Sequence, residues 1–254
     1  MQKCLIVQVL GNSDIQIDSN NARDRLGNCY SNEEINEAAQ KCKTKYAEGR
    51  HAVNFRFLSE LHRQLTGEAE YTFCVLLTDQ TQWLNCNRQA PEDWQRIAIS
   101  DGHWWRELLL EWCHREGLIC QPVEVTVKPE ISHGVADWEA MAELVHGVLK
   151  THIQYKNETA TFAAFGSIFD KILIQHSSGT AALSSALYLW GIEQRLTNQN
   201  VEFIYLAQEE GGSKSTAHSG SHWQRRLKAP QVSQLIDIQD FGGALGVNIE
   251  RDDS

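Results

Sequence analysis

The sequence predicts an α/β protein in which a parallel β-sheet carries helices on both faces. Short apolar runs recur along the chain, most of them end in a polar turn, and several turns lead into apolar residues at helical spacing. Strands that alternate with helices in this way form parallel sheets through right-handed crossovers. A chain of 254 residues is long enough for one large domain with a sizeable core.

Five segments are predicted as strands of this sheet. The first, Cys4–Leu10, is apolar almost throughout and ends at Gly11–Asp14, a turn of residues that favour caps or bends. The second, Tyr71–Leu77, also stops in a polar turn, and Pro122–Val127 is rich in β-branched residues. The last two predicted strands are Ile172–Gln175 and Val201–Leu206.

The predicted helices lie between these strands. Trp104–Arg115 has the clearest helical spacing, with Asp101 as the expected N-cap and Gly117 as its end. A weaker helical pattern covers Glu33–Tyr46, and Pro91–Ile99 is expected to begin a short helix. The remaining predicted helices are Phe55–Gln64, Asp137–Thr151 and Ala181–Gln194.

The chain changes character after the last predicted strand. Gln208–Ser221 is rich in Glu, Gly, Ser and His and has no apolar periodicity, which predicts a surface loop. We therefore divide the chain into a main domain, residues 1–206, and a polar loop with a short C-terminal extension, residues 207–254.

The charge balance restricts the classes of partner. A formal net charge of −10 excludes a protein that coats nucleic acid through a basic field, so no direct DNA binding is expected. Backbone amides carry no formal charge, and a single cradled anion therefore remains compatible with an acidic chain.

Cysteine usage and the apolar runs predict the compartment. The seven cysteines form no CxxC pair and their number is odd, which favours the reducing cytosol. The chain shows neither the features of a signal peptide nor an apolar stretch near the roughly 18 residues of a membrane helix. The sequence thus predicts a soluble, cytoplasmic protein with no membrane partner.

Three polar turns follow predicted strands whose carboxyl ends should open on one edge of the sheet. A strand that ends in a glycine-containing turn at a helix N-terminus forms an anion site from free N–H groups and the helix dipole. The same residues also suit simple helix caps, and neither GxGxxG nor GxxxxGK[ST] is present. The candidate ligand-binding residues are Gly11, Asn12, Ser13, Asp14, Thr78, Asp79, Gln80, Ser177, Ser178, Gly179 and Thr180.

The turn Ser177–Thr180, with the small-residue helix start Ala181–Ser184, resembles the signature of CARF domains, the CRISPR-associated Rossmann-fold sensors. Gly11–Asp14 resembles their other ligand loop. The similarity covers roughly residues 3–206, although its specific motifs are these two short turns. It implies a Rossmann-like fold of CARF type. Many relatives carry Lys or Pro directly after the Gly-Thr pair, whereas this chain has Ala181, which speaks against a lysine-assisted mechanism there.

The resemblance also implies a function, that of a cyclic oligoadenylate sensor in type III CRISPR antiviral defence. Such a protein is a homodimer that binds a cyclic tetra- or hexa-adenylate across its two-fold axis and controls an effector nuclease. The phosphates and riboses of the ring are expected on Gly11–Ser13 and Ser178–Thr180 of both subunits. Neither a metal nor a cofactor is expected.

Some CARF domains also cleave their ligand without metal, by holding a ribose 2′-hydroxyl in line with the neighbouring phosphate. The catalytic candidates on this basis are Ser13 and Thr180, which would orient the phosphate, and His176, which would act as acid or base. The alternative for His176 is a structural histidine bonded to a backbone carbonyl. Trp83, behind the second turn, is the tryptophan we consider for stacking on an adenine.

Other functions remain open at this point. One alternative is an α/β enzyme that acts on a nucleotide or a phosphorylated small molecule at the same edge. Another is a CARF-type transcription regulator, although the acidic tail offers no clear helix-turn-helix. Asp237–Leu245 resembles the piece that leads from sensor to effector, so the chain is interpreted either as a standalone protein or as the sensor half of a longer one.

Overall fold

A computed structural model describes residues 2–11, 14–18, 20–22, 31–65, 69–87, 101–156, 159–162, 167–196, 200–209 and 212–218. The chain divides into a compact unit of residues 1–219 and a second unit of residues 220–254. The second unit lies outside the described residues, as do Asn12, Ser13 and the predicted helix Pro91–Ile99. The domain boundary at residue 206 stays a prediction.

Twelve strands are formed by the described residues. In chain order they are β1 (Gln2–Val9), β2 (Ile15–Ile17), β3 (Asn20–Asn21), β4 (Val53–Phe55), β5 (Ala69–Asp79), β6 (Ile119–Thr126), β7 (Ile153–Lys156), β8 (Thr159–Phe162), β9 (Ser167–Phe169), β10 (Lys171–Gln175), β11 (Val201–Glu209) and β12 (Gly212–His218).

Six α-helices lie between these strands in the same described ranges. They are α1 (Asn32–Ala47), α2 (Arg56–Leu65), α3 (Thr81–Cys86), α4 (Arg106–Arg115), α5 (Trp138–His152) and α6 (Ala181–Leu196). Short 3-10 turns at Gly102–Trp105 and Gly134–Ala136 precede α4 and α5. None of these helices combines the length and the apolar character that crossing a bilayer requires.

The centre of the fold is a six-stranded sheet in the order β12–β11–β10–β1–β5–β6. The five strands from β11 to β6 are parallel, and β12 is antiparallel to β11. The central strand β1 is buried from Cys4 onward, because helices cover a parallel sheet on both faces. The predicted α/β class with a parallel sheet is confirmed.

Alternate residues of β1 point into two apolar layers. Cys4 and Ile6 belong to a core cluster that also contains Ile35 of α1, Leu58 of α2 and Leu109 of α4. On the other face, α6 packs across β1, β10 and β11, while α5 packs against α6 and β6. Helices therefore cover both faces of the sheet, as predicted.

Local capping follows the sequence at two of the predicted helix ends. Asp137 caps α5, because its carboxylate accepts a hydrogen bond of 3.0 Å from the amide of Ala140. Gly117 follows α4 with a φ of +69°, a left-handed conformation that ends helices. Asp101 takes the N-cap position of the 3-10 turn that leads into α4, but its carboxylate makes no capping hydrogen bond.

Two small antiparallel sheets were not predicted. One has the order β3–β2–β4 and the other β7–β8–β9. Ile15 and Ile17 of β2 are completely buried, whereas Gln16 between them is half-buried. Strands of two to four residues are too short for their alternation to stand out in a sequence, and β4 takes Phe55 from the start of the predicted helix.

The segment predicted as a surface loop contains a strand, so that prediction is wrong. β12 pairs along its whole length with β11, from Phe203 opposite His218 to Glu209 opposite Gly212. A Gly- and Ser-rich segment has no apolar periodicity, but backbone pairing at the edge of a sheet does not require one.

Candidate ligand site at the carboxyl edge of the sheet

The candidate site lies at the carboxyl ends of β10, β1 and β5, which are neighbours in the sheet. β1 and β10 run into two of the three predicted polar turns, whereas β5 includes Thr78 and Asp79 of the predicted turn Thr78–Thr81 and leaves Gln80 alone between β5 and α3. Because the strands are parallel, all three turns lie along one edge of the sheet, where ligands of open α/β sheets bind.

Hydrogen bonds join the turn after β1 to the turn after β10. The amide of Gly11 donates to the Oδ2 atom of Asp14, at 2.8 Å, and to the Oγ atom of Ser178, at 3.2 Å. The Ser178 hydroxyl donates to the same Asp14 oxygen, and both side chains are buried. The two predicted turns therefore form one unit, in which the Asp14 carboxylate and the Ser178 hydroxyl already bind groups of the protein.

Close backbone packing in this unit depends on glycine. Gly179 has a φ of +89°, and a Cβ atom there would lie 2.7 Å from the Cγ1 atom of Val9. A Cβ atom on Gly11 would lie 3.2 Å from the amide nitrogen of Gly179. Side chains at either position would push the turn of β10 away from β1.

The turn after β10, the third along the chain, places two backbone amides at the start of α6. Thr180 caps the helix, since its hydroxyl oxygen accepts from the Leu183 amide at 3.3 Å and donates to the Val135 carbonyl at 2.8 Å. The amides of Gly179 and Thr180 donate to no acceptor within the described part of the chain. Together with the positive end of a 16-residue helix, such amides favour an anion, and the binding of a phosphate at this anion-attracting turn stays a prediction.

His176 lies between strand and turn and packs against aromatic rings. Its ring centroid is 4.9 Å from that of Tyr188 and 6.4 Å from that of Phe203. The Ser184 hydroxyl donates to the His176 carbonyl, which ties the start of the turn to α6. These contacts hold the imidazole of His176 in place, and its acid–base role stays a prediction.

Asp101 organises the second turn instead of capping a helix. Its buried carboxylate accepts from the Thr78 hydroxyl at 2.9 Å, from the Gln80 side-chain amide at 2.9 Å and from the Gln80 backbone amide. Burial raises the pKa of Asp101 well above its usual value, although the three donated hydrogen bonds oppose this. Thr78 and Gln80 are buried as well, so their side chains bind groups inside the protein.

Val135 connects the second turn to the third. Its amide donates to the Oε1 atom of Gln80 at 3.0 Å, and its carbonyl accepts from the Thr180 hydroxyl. A continuous hydrogen-bonded path therefore runs from Asp101 through Gln80 and Val135 to the anion-attracting turn. No sequence motif marks this path, because it depends on a segment that follows β6.

His103 is a residue of this edge that the sequence analysis missed. Its Nδ1 atom lies 3.1 Å from the Thr78 carbonyl, and its Nε2 atom lies 3.4 Å from the Thr81 hydroxyl and 3.7 Å from Asp79 Oδ1. The Thr81 amide donates to the same Asp79 oxygen at 2.9 Å. The only signal in the sequence was a histidine two residues after the presumed cap Asp101.

Among the described residues, one group has ligand atoms close enough to hold a metal ion. It consists of Asp79, Asp101 and His103, whose ligand atoms lie within 4.8 Å of one another. Both oxygens of Asp101 already accept hydrogen bonds from the protein, and burial raises the pKa of its carboxyl. The group therefore fits a cation poorly.

Trp83 does not take the role considered for it. The side chain is 2% exposed, and its indole N–H donates to the Ile131 carbonyl at 2.6 Å. A ring buried in this way has no free face for an adenine, and the prediction of stacking at Trp83 is wrong.

The chain matches no protein-family model, and no curated protein matches it. Among solved structures it is similar to Enterococcus italicus Csm6 bound to cyclic hexa-2'-fluoro-hexa-dAMP, with a TM-score of 0.39 and 12% sequence identity. The match covers 97% of this chain and 48% of that chain, so this chain spans about half the length of the Csm6.

Proposed function

We propose that this protein is a cyclic oligoadenylate sensor of CARF type that acts in type III CRISPR antiviral defence. Its ligand is a cyclic tetra- or hexa-adenylate, and ligand binding controls an effector nuclease. The protein acts in the cytoplasm as a homodimer, because a ring of identical units presents the same phosphate to two symmetry-related copies.

The hydrogen bond between the turn after β1 and the turn after β10 supports this proposal most directly. Gly11 and Ser178 are hydrogen-bonded to each other, and beside them at the start of α6 lie the amides of Gly179 and Thr180, which have no acceptor among the described residues. Amides at a helix N-terminus attract a phosphodiester even in a chain with a net charge of −10, since the field is local. These are the two turns that carry the resemblance to CARF domains.

Slow, metal-independent cleavage of the ring is part of the proposal. In this step a ribose 2′-hydroxyl attacks the adjacent phosphorus, the bond to O5′ breaks, and the proton moves from the 2′-oxygen to the leaving oxygen. Positioning supplies most of the acceleration. Thr180 acts through its backbone amide, because its hydroxyl is engaged by Leu183 and Val135, while Ser13 orients the phosphate and His176 transfers the proton.

The first test mixes the purified protein with cyclic tri-, tetra- and hexa-adenylate. The melting temperature reports binding, and chromatography reports whether the ring stays intact. A ring at 100 times its dissociation constant should stabilise the protein by about 2.7 kcal/mol. An intact ring identifies a pure sensor, and linear adenylates with a 2′,3′-cyclic phosphate identify a ring nuclease. No shift with any ring contradicts the proposal and favours the alternative of a nucleotide-directed α/β enzyme.

Substitution of Ala181 tests whether the start of α6 binds the phosphate. Ala181 is exposed and is the first residue of the helix. Ala181→Asp adds a charge that suits the helix dipole, by about 0.3–1 kcal/mol, but repels a phosphate. We expect the free protein to keep its stability and the affinity for the ring to fall about tenfold or more, as measured by calorimetry.

Ala181→Asn is the matched control, because it has the same size without the charge. It should bind the ring within about twofold of the wild-type protein, a difference of about 0.4 kcal/mol. Equal affinities of the Asp and Asn variants would place the phosphate elsewhere.

A further inference from the structure

A second group of polar side chains lies at the same edge of the sheet, beyond the anion-attracting turn. It consists of Asp79, Thr81 and His103, and we name it the β5 cluster. The side chains of Asp79 and His103 are 23% and 16% exposed, and Thr81 is half-buried, so all three keep part of their surface in contact with solvent. The mechanism proposed above assigns no chemistry to Thr81 or His103.

The hydrogen bonds of His103 define which ring nitrogen carries the proton. A carbonyl oxygen only accepts, so Nδ1 donates to the carbonyl of Thr78. In the neutral ring Nε2 is therefore an acceptor. Burial lowers the pKa of His103, against the opposing effect of Asp79, and this favours the neutral ring. Trp104 covers the ring at a centroid distance of 4.0 Å and restricts its rotation.

The β5 cluster therefore offers two acceptors and one donor. The acceptors are the Asp79 carboxylate and the Nε2 atom of His103, and the donor is the Thr81 hydroxyl, which donates to this Nε2 atom in the free protein. A phosphate would meet a negative charge and a lone pair here and would be repelled. A neutral hydroxyl fits, because it can donate to one acceptor and accept from Thr81 at the same time.

The position of the β5 cluster relates it to the ligand turns. Gly102, next to His103, packs against the end of β1, where a Cβ atom on Gly102 would lie 3.1 Å from the Leu10 carbonyl oxygen. Leu10 directly precedes Gly11, and β5 is two strands away from β10. Two strand spacings are about 10 Å, a span that neighbouring units of an oligonucleotide can bridge.

We infer that the β5 cluster is a subsite for a ribose 2′-hydroxyl and makes this protein select ribonucleotide over deoxyribonucleotide ligands. The inference rests on the proposed function, since it takes the ring phosphate to occupy the start of α6. The 2′-hydroxyl donates to Asp79 or His103 and accepts from Thr81. With a 2′-deoxy ring the Thr81 hydroxyl stays bonded to His103, and the Asp79 carboxylate lacks the hydrogen bond that the ribose would donate.

The test compares two rings of one size, the adenylate ring that gives the largest melting shift and its all-2′-deoxy counterpart. Calorimetry on the wild-type protein should give an affinity at least about tenfold higher for the ribose ring, because one hydrogen bond to a charged acceptor is lost. Asp79→Asn and Thr81→Val should bring the two affinities within about threefold, by weakening only the ribose ring. Thr81→Ser restores the hydroxyl and should restore the difference.

Asp170→Asn is the control for the loss of a carboxylate. Asp170 lies next to the start of β10, at the opposite edge of the sheet, where it accepts from the Lys3 amide at 2.8 Å. This variant should keep the preference of the wild-type protein. Circular dichroism shows whether each variant is folded, and the Thr81 pair provides the test if Asp79→Asn is not.

Each remaining outcome overturns the inference in a recognisable way. Equal binding of both rings by the wild-type protein overturns it and leaves the proposed function standing. A preference that survives in both the Asp79 and Thr81 variants shows that the hydroxyl binds elsewhere. A preference that disappears with a chelator assigns the β5 cluster to a cation. Binding of neither ring overturns the proposed function and the inference together.

Discussion

Gly179 occupies a backbone conformation that no other residue type would adopt there without strain. Its φ is +89°, and an added Cβ atom would also meet Val9 at 2.7 Å. Gly117 has a similar φ of +69°, but no atom of the described residues lies within 4 Å of an added Cβ atom there. A comparison of the two positions therefore separates the cost of the left-handed backbone from the cost of close packing.

Alanine at these two glycines should have unequal effects on stability. Gly117→Ala should lower the free energy of unfolding by about 1–2 kcal/mol, the cost of a left-handed conformation. Gly179→Ala should cost about 1–3 kcal/mol more, because the added methyl group overpacks against Val9. Urea denaturation measures both, and equal losses would show that the turn after β10 relaxes freely away from β1.

The carboxylate of Asp101 does not make the predicted capping hydrogen bond. An aspartate two to five residues before a helical run is a good N-cap candidate by sequence. In the structure its carboxylate instead accepts hydrogen bonds from Thr78 and Gln80, which lie more than 20 residues earlier in the chain. Whether a carboxylate caps a nearby helix or binds a residue far away in sequence depends on which donor lies within hydrogen-bond distance. The sequence does not contain the distances between such residues.

At the scale of strands, β1 and β10 carry a pair of buried glutamines. Gln8 and Gln175 are in register on these neighbouring strands and are 2% and 0% exposed. The Oε1 atom of Gln8 and both amide atoms of Gln175 have no hydrogen-bond partner in the described structure. Buried polar groups without partners reduce stability.

We expect Gln175→Met to raise the free energy of unfolding by about 1 kcal/mol, because it replaces an unpaired amide by an apolar chain of similar length. Gln121→Met is the control, since the half-buried Gln121 amide donates to the Pro122 carbonyl at 3.3 Å and gains nothing from removal. Denaturant unfolding compares the two variants. A loss of stability in Gln175→Met would indicate a buried water bound to this amide.

Strand length decided which elements were predictable. The long apolar runs of β1 and β5 stand out in the sequence, and both strands were predicted close to their observed bounds. The short strands β2, β3 and β4 were missed, since their residues become strands only when they pair with one another. β12 was missed for a related reason, because its pairing with β11 needs only backbone groups.

Recognition of the proposed ring across a two-fold axis predicts that the molecule is a homodimer. We expect a mass of twice 28.8 kDa in sedimentation equilibrium at micromolar concentration, with or without the ring. The Ala181→Asp variant should show the same mass, because the added charge weakens the binding of the phosphate and leaves the association of the two chains unchanged. A mass of 28.8 kDa in the presence of a bound ring would contradict recognition across a two-fold axis.

The amino-acid sequence alone predicts the α/β class, the parallel strands and the three polar turns. These features depend on the spacing of apolar residues and on turn-forming residues, which are local properties of a chain. It also placed the turns on one edge, since parallel strands end on the same side.

The partners of the turn residues become visible only in the folded chain. The hydrogen bonds of Gly11 with Ser178, of Asp101 with Gln80 and of Val135 with Thr180 join residues distant in sequence. The structure also buried Trp83 and placed His103 beside Asp79. Such contacts depend on strand order and register. These result from the packing of the whole chain and cannot be predicted from any single segment.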